Sequence, residues 1–139
     1  MIKKIAYTNG LARKFYDKFL PGPLTIILTK KNLIPDILTA KTKTIGIRIP
    51  KCNVTKMLSS HLKLPYTTPS ANRSGEKTPY SIEEVASVLD LSQVDLVLDG
   101  GKLPNVPPST IVDLTSNEIK IIREGALSLE IQKFIKDEL

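Results

Sequence analysis

The sequence predicts an α/β (α+β) fold, a twisted mixed β-sheet flanked by helices. Three observations carry that prediction. Strand-like and helix-like patterns alternate along the chain, two β-branched runs sit on either side of a short polar turn, and the apolar residues are mainly Leu, Ile and Val. Aromatics make up 5% of the 139 residues and Trp is absent, so the core must be aliphatic. Residues 1–139 are one domain's length, able to bury roughly two-thirds of the unfolded surface without staples.

The elements follow in order. Leu11, Phe15 and Phe19 recur at helical spacing among Lys and Arg, predicting an amphipathic helix over residues 9–20. Pro21-Gly22-Pro23 stops it, because proline cannot continue the hydrogen-bond ladder. Leu24–Thr29 and Thr44–Ile49 read as strands. Asn53 is the expected N-cap of a helix through Leu62. Residues 67–79, rich in hydroxyls, Pro and Gly, are loop. Ser81 and Glu84 form an S-x-x-E capping box for a helix to about Leu89. Val94–Asp99 is expected as a strand ending at Gly100-Gly101. Ser109–Leu114 and Glu118–Arg123 flank Thr115-Ser116-Asn117 as a hairpin, and a helix bearing Leu129, Ile131, Phe134 and Ile135 closes the chain.

Composition excludes several classes. Charged residues are 24% and no apolar run approaches the roughly 18 residues of a membrane span, so no membrane partner is expected. Met1–Thr8 has no signal-peptide h-region, and the expected location is the cytoplasm. A single cysteine, Cys52, excludes an internal disulfide and a cysteine-built zinc site. The net charge of +6 is uneven. Residues 1–51 hold 11 Lys/Arg against Asp17 and Asp36, whereas the remainder holds 9 basic and 12 acidic residues. A basic face toward an anion, a nucleotide or RNA, and a solvated lysine face both fit that balance.

No hydrolytic apparatus is present. His61 is the only histidine and sits mid-helix, where a solvated position is expected; no metal-ligand spacing and no phosphate-loop fingerprint occur. No residue is assigned a catalytic role. Three polar clusters stand out instead. In Thr44-Ile45-Gly46-Ile47-Arg48-Ile49-Pro50, Arg48 interrupts an apolar strand, with Thr44 and Gly46 on its face. A guanidinium there calls for a carboxylate or phosphate, either a ligand or an acid elsewhere in the chain. Thr67-Thr68-Pro69-Ser70-Ala71-Asn72-Arg73-Ser74-Gly75 suits a phosphate- or ribose-wrapping loop, or simply a turn. The hairpin is expected to bring Ser109 and Arg123 near one rim.

Together with Pro21-Gly22-Pro23-Leu24-Thr25, Asp99-Gly100-Gly101 and Ser109-Thr110-Ile111-Val112, these clusters occur in the order and approximate spacing of one family. From about Leu11 onward the chain resembles the YrdC-type threonylcarbamoyl-AMP synthases. The resemblance implies a YrdC-like fold and synthesis of threonylcarbamoyl-AMP and pyrophosphate from ATP, L-threonine and bicarbonate, a nucleotidyltransferase reaction. Its product serves the threonylcarbamoyl modification of adenosine 37 in tRNA. It further implies L-threonine contacts at Arg48, Thr68 and Ser109, and ATP contacts at Thr44, Ser70, Asn72, Thr78 and Arg123. Mg²⁺ would accompany ATP, with no tightly bound cofactor and no protein-built metal site.

Family members begin upstream with a Thr-Asp-Thr-Val-Tyr-Gly-Leu-type strand and a Lys-x-Arg motif, neither of which occurs here. The chain is therefore expected to be an N-terminally truncated YrdC-like domain. A separate N-terminal half or a homo-oligomer would complete it. The alternative is a non-catalytic, RNA-binding or partner-dependent fragment of the same family.

Overall fold

A computed structural model describes residues 1–139. They form two compact units, Met1–Pro65 with Pro107–Leu139, and Tyr66–Val106.

The first unit holds the sheet. Its strands are β1 (Leu24–Thr29), β2 (Thr44–Arg48), β3 (Thr110–Asp113) and β4 (Lys120–Arg123), in the order β2-β1-β3-β4. β1 runs antiparallel to β2 and parallel to β3, and β3 and β4 are antiparallel. The mixed sheet and the hairpin are thus as the sequence predicts. Alternation along β1 buries Leu24, Ile26 and Leu28 and leaves Thr25, Ile27 and Thr29 half-exposed on the other face.

The helices of this unit are α1 (Ile2–Ile5), α2 (Gly10–Phe19), α3 (Asn53–Leu62) and α5 (Ser128–Glu138). Asn9 caps α2 by accepting from Ala12 N–H at 2.7 Å. Ala12, Phe15 and Phe19 of α2 and Ile131 and Phe134 of α5 join the buried strand residues in one core. The single turn α1 had no sequence signal. Ile5 and Ala6 are buried all the same, and Ala6 bridges to Lys30. The N-cap of α3 is Cys52 rather than Asn53, because Cys52 keeps an extended backbone and Asn53 is already helical. The Cys52 carbonyl accepts from the Thr55 hydroxyl at 3.0 Å.

The second unit contains α4 (Ile82–Val88) and a 3₁₀ turn at Leu91–Gln93. Ser81 Oγ accepts from Glu84 N–H, but the Glu84 carboxylate reaches back to Tyr80 N–H at 2.7 Å, one residue beyond the usual box. Val94–Asp99 is not a strand. Its backbone has no ladder to join, and Val94, Leu96, Val97 and Leu98 are all exposed. No helix in the chain is long and apolar enough to cross a membrane.

Candidate functional site

The site-bearing part of the sheet is the face turned away from α2 and α5. Register aligns Arg48 of β2 with Thr25 of β1, Thr25 with Ile111 of β3, and Ile111 with Arg123 of β4. Cross-strand partners share a face, so Arg48, Thr25 and Arg123 lie in one row. Ser109, just before β3 and two residues from Ile111, belongs to the same face by alternation.

Three of these residues form a network. Arg123 donates from Nε and Nη2 to the Ser109 carbonyl, at 3.1 and 2.8 Å, and from Nη2 to Ser109 Oγ at 3.0 Å. Ser109 Oγ and Thr25 Oγ1 are 3.0 Å apart. The hairpin expectation for Ser109 and Arg123 is met, and the Arg123 Nη1 edge remains open. The chain around Ser109 is clamped from the other side. Ala126 N–H donates to Pro108 O at 3.0 Å, and Leu127 N–H to the buried Thr110 Oγ1 at 2.9 Å.

Arg48 behaves differently from the sequence expectation in one respect. Its side chain is exposed rather than buried, so it carries no large desolvation cost. It makes no ion pair, since the chain's salt bridges are Arg13–Asp17, Lys18–Glu138, Lys30–Asp36 and Lys120–Glu118. The alternative of a structural acid partner therefore falls away. Thr44 lies at the other end of β2, paired with Thr29. The cleft lined by Tyr7, Thr8, Asn9, Thr29, Leu114 and Thr115 sits at that far end of β1, away from Thr25 and Ser109.

The other predicted contacts belong to the second unit. Thr68, Ser70 and Thr78 are exposed in a loop without helix or strand. Asn72 organises the loop: its Nδ2 donates to the carbonyls of Arg73 and Glu76, at 3.0 and 2.9 Å. Two carbonyl partners fix the amide orientation and leave Oδ1 buried without a hydrogen bond. Gly75 takes φ +85°, a left-handed conformation that side chains rarely adopt.

His61 is exposed, with Nδ1 2.8 Å from its own helix's Met57 carbonyl, and it joins no triad. No group of three His, Cys, Asp or Glu side chains is placed to hold a metal ion. Cys52 is exposed, and N–H groups of Thr55 and Val54 at the start of α3 hold its thiol below the ordinary value. The residue that sequence reasoning missed is Thr25. Its signal was present in Pro21-Gly22-Pro23-Leu24-Thr25, as the first residue of β1 on the face opposite the core.

Residues 1–125 match the family model for Sua5, YciO and YrdC proteins, described as telomere recombination. A putative threonylcarbamoyl-AMP synthase of Methanocaldococcus jannaschii is 46% identical over 129 residues, covering 93% of this chain and 59% of that protein. The threonylcarbamoyl-AMP synthase of Pyrococcus abyssi is 34% identical over 125 residues, 89% of this chain and 36% of that protein. Among solved structures, P. abyssi Sua5 complexed with L-threonine superposes with a TM-score of 0.85 at 30% identity, over 97% of this chain and 40% of that one. Escherichia coli YciO gives a TM-score of 0.77 at 30% identity, over 91% and 63%. The chain thus spans less than two-thirds of the length of these relatives. Ordered motifs, sheet topology and the family match agree, and the chain belongs to the Sua5/YciO/YrdC family.

Proposed function

We propose that this chain carries substrate-binding parts of an L-threonylcarbamoyladenylate synthase. The observation that carries the reading is Arg48. It is a guanidinium without an acid partner, in register with Thr25 and hence beside the Thr25–Ser109–Arg123 network. A P. abyssi relative of the same fold was crystallised with L-threonine, which supports the choice of ligand. Arg48 would take the carboxylate in its planar fork, with Thr68 and Ser109 as further L-threonine contacts. Thr44, Ser70, Asn72, Thr78 and the open Nη1 edge of Arg123 would face ATP.

In the reaction, the threonine amine forms a bond to the bicarbonate carbon and water leaves. An oxygen of the resulting carbamate then attacks the α-phosphorus of ATP as the bond to pyrophosphate breaks. Such a displacement relies on positioning and charge neutralisation more than on a general base, which suits a site without histidine or paired carboxylates. Mg²⁺ enters this reading as part of the MgATP substrate, held by its phosphates. RNA contact by the basic residues 1–51 belongs instead to the alternative reading, a non-catalytic fragment of the same family.

The test is titration calorimetry of L-threonine and of MgATP, together with pyrophosphate release in the presence of bicarbonate. Arg48→Ala is expected to weaken L-threonine roughly ten- to a hundredfold, the range of a charged hydrogen-bonded pair, with ATP affinity kept within severalfold. Arg48→Lys should also bind poorly, because an ammonium lacks the fork. Equal L-threonine affinity in wild type and Arg48→Ala would refute the assignment.

A further inference from the structure

We propose that Thr25 is the positioning residue of the amino-acid site: its hydroxyl donates to Ser109 and thereby leaves Ser109 able only to donate to a ligand. The inference rests on the function proposed above and adds a residue to which that reading gives no role.

The geometry orients both branches of Thr25. A Cβ built on Gly46 of β2 would lie 3.5 Å from Thr25 Cγ2, so the threonine methyl points toward β2. Its Oγ1 points the other way, toward Ser109 at 3.0 Å. A β-branched side chain is stiff at χ1, and the hydrogen bond to Ser109 holds this rotamer. Ser109 is 5% exposed, so protein partners rather than bulk water orient its hydroxyl.

Counting protons gives the consequence. A serine hydroxyl has one proton and two acceptor positions. Arg123 Nη2 fills one acceptor position at 3.0 Å. When Thr25 fills the second, the Ser109 proton is the only hydrogen-bonding capacity left. With Thr25 on the β1 side and Arg123 on the β4 side, that proton is left for a ligand above the sheet face that also carries Arg48. A hydroxyl of this kind donates to a carboxylate or carbamate oxygen and offers nothing to an ammonium group. Arg48 and Ser109 would then be two donors for one anionic amino-acid end, with Thr25 acting through Ser109.

The test uses the 139-residue chain with L-threonine and MgATP as calorimetric probes. Thr25→Val keeps the branched shape and removes the hydroxyl; L-threonine affinity should fall roughly three- to tenfold, as for one uncharged hydrogen bond. MgATP affinity should stay within twofold. Thr25→Ser and Thr25→Ala both lack the methyl and differ only in the hydroxyl. Thr25→Ser should bind L-threonine within about twofold of wild type and Thr25→Ala should not, whatever each does to the melting temperature. Wild-type affinity in Thr25→Val, or equal affinities in the Ser and Ala variants, would overturn the role of Thr25 while leaving the proposed function standing. A wild-type chain that binds no L-threonine would overturn both.

Discussion

Ser109 is held by backbone as much as by side chains, and Gly125 is where that support can be broken. A Cβ at Gly125 would clash with the Pro108 carbonyl oxygen and lie within 2.7 Å of the Ser109 carbonyl carbon and the Thr110 nitrogen. All three obstacles are main chain, so no rotamer change relieves them. Gly125→Ala is expected to cost about 1–3 kcal/mol, as overpacking does, and to shift the urea midpoint down. An unchanged midpoint would show that the segment before β3 yields freely. How far residues were legible in the sequence depended on distance along the chain. Ser109 and Arg123 are 14 positions apart across a hairpin, and the hairpin signal alone brought them together. Thr25 and Ser109 are 84 apart and meet through a parallel pairing that no local pattern encodes.

Helices were the most legible elements because their evidence is local. The apolar spacing of Leu11, Phe15 and Phe19 and the Pro21-Gly22-Pro23 stop located α2 to within a residue at each end. Strands were legible only where a neighbour exists. Val94–Asp99 has the composition of a strand and no ladder, whereas β1 and β3, with similar composition, find each other. The contact that joins helix to helix is equally non-local. Phe134 of α5 meets Phe15 and Phe19 of α2 edge-on, with ring centroids 5.3 Å away in both cases. Phe134 is 6% exposed, so removing its ring opens a cavity rather than a surface dent. Phe134→Ala should lose about 3–5 kcal/mol in denaturant unfolding, with Phe134→Leu losing clearly less. Similar losses for the two would mean that the edge-on ring geometry matters more than filled volume.

At the scale of the whole chain, burial is distributed as unevenly as charge. Every buried apolar residue, from Ile5 through Phe134, lies in Met1–Pro65 or Pro107–Leu139; none lies in Tyr66–Val106. Composition set the amount of apolar material but not its location, since Val94, Leu96, Leu98 and Leu103 count toward it and remain exposed. Segments with few buried contacts open at low free energy, so amides of 66–106 should exchange with solvent well before those of β1 and β3. Hydrogen exchange read by mass spectrometry checks this, and equal protection across the two units would contradict it. The same measurement bears on function, because the proposed ATP contacts Ser70, Asn72 and Thr78 all lie in the weakly buried unit. A ligand at a hundred times its Kd stabilises the binding-competent state by about 2.7 kcal/mol, or roughly a hundredfold in the opening equilibrium. Saturating MgATP should therefore slow exchange in peptides spanning 67–79 by up to about that factor, with little change at α2 and α5. If calorimetry shows MgATP bound while those peptides exchange at the unliganded rate, the nucleotide is held elsewhere, and the assignment of Ser70, Asn72 and Thr78 falls.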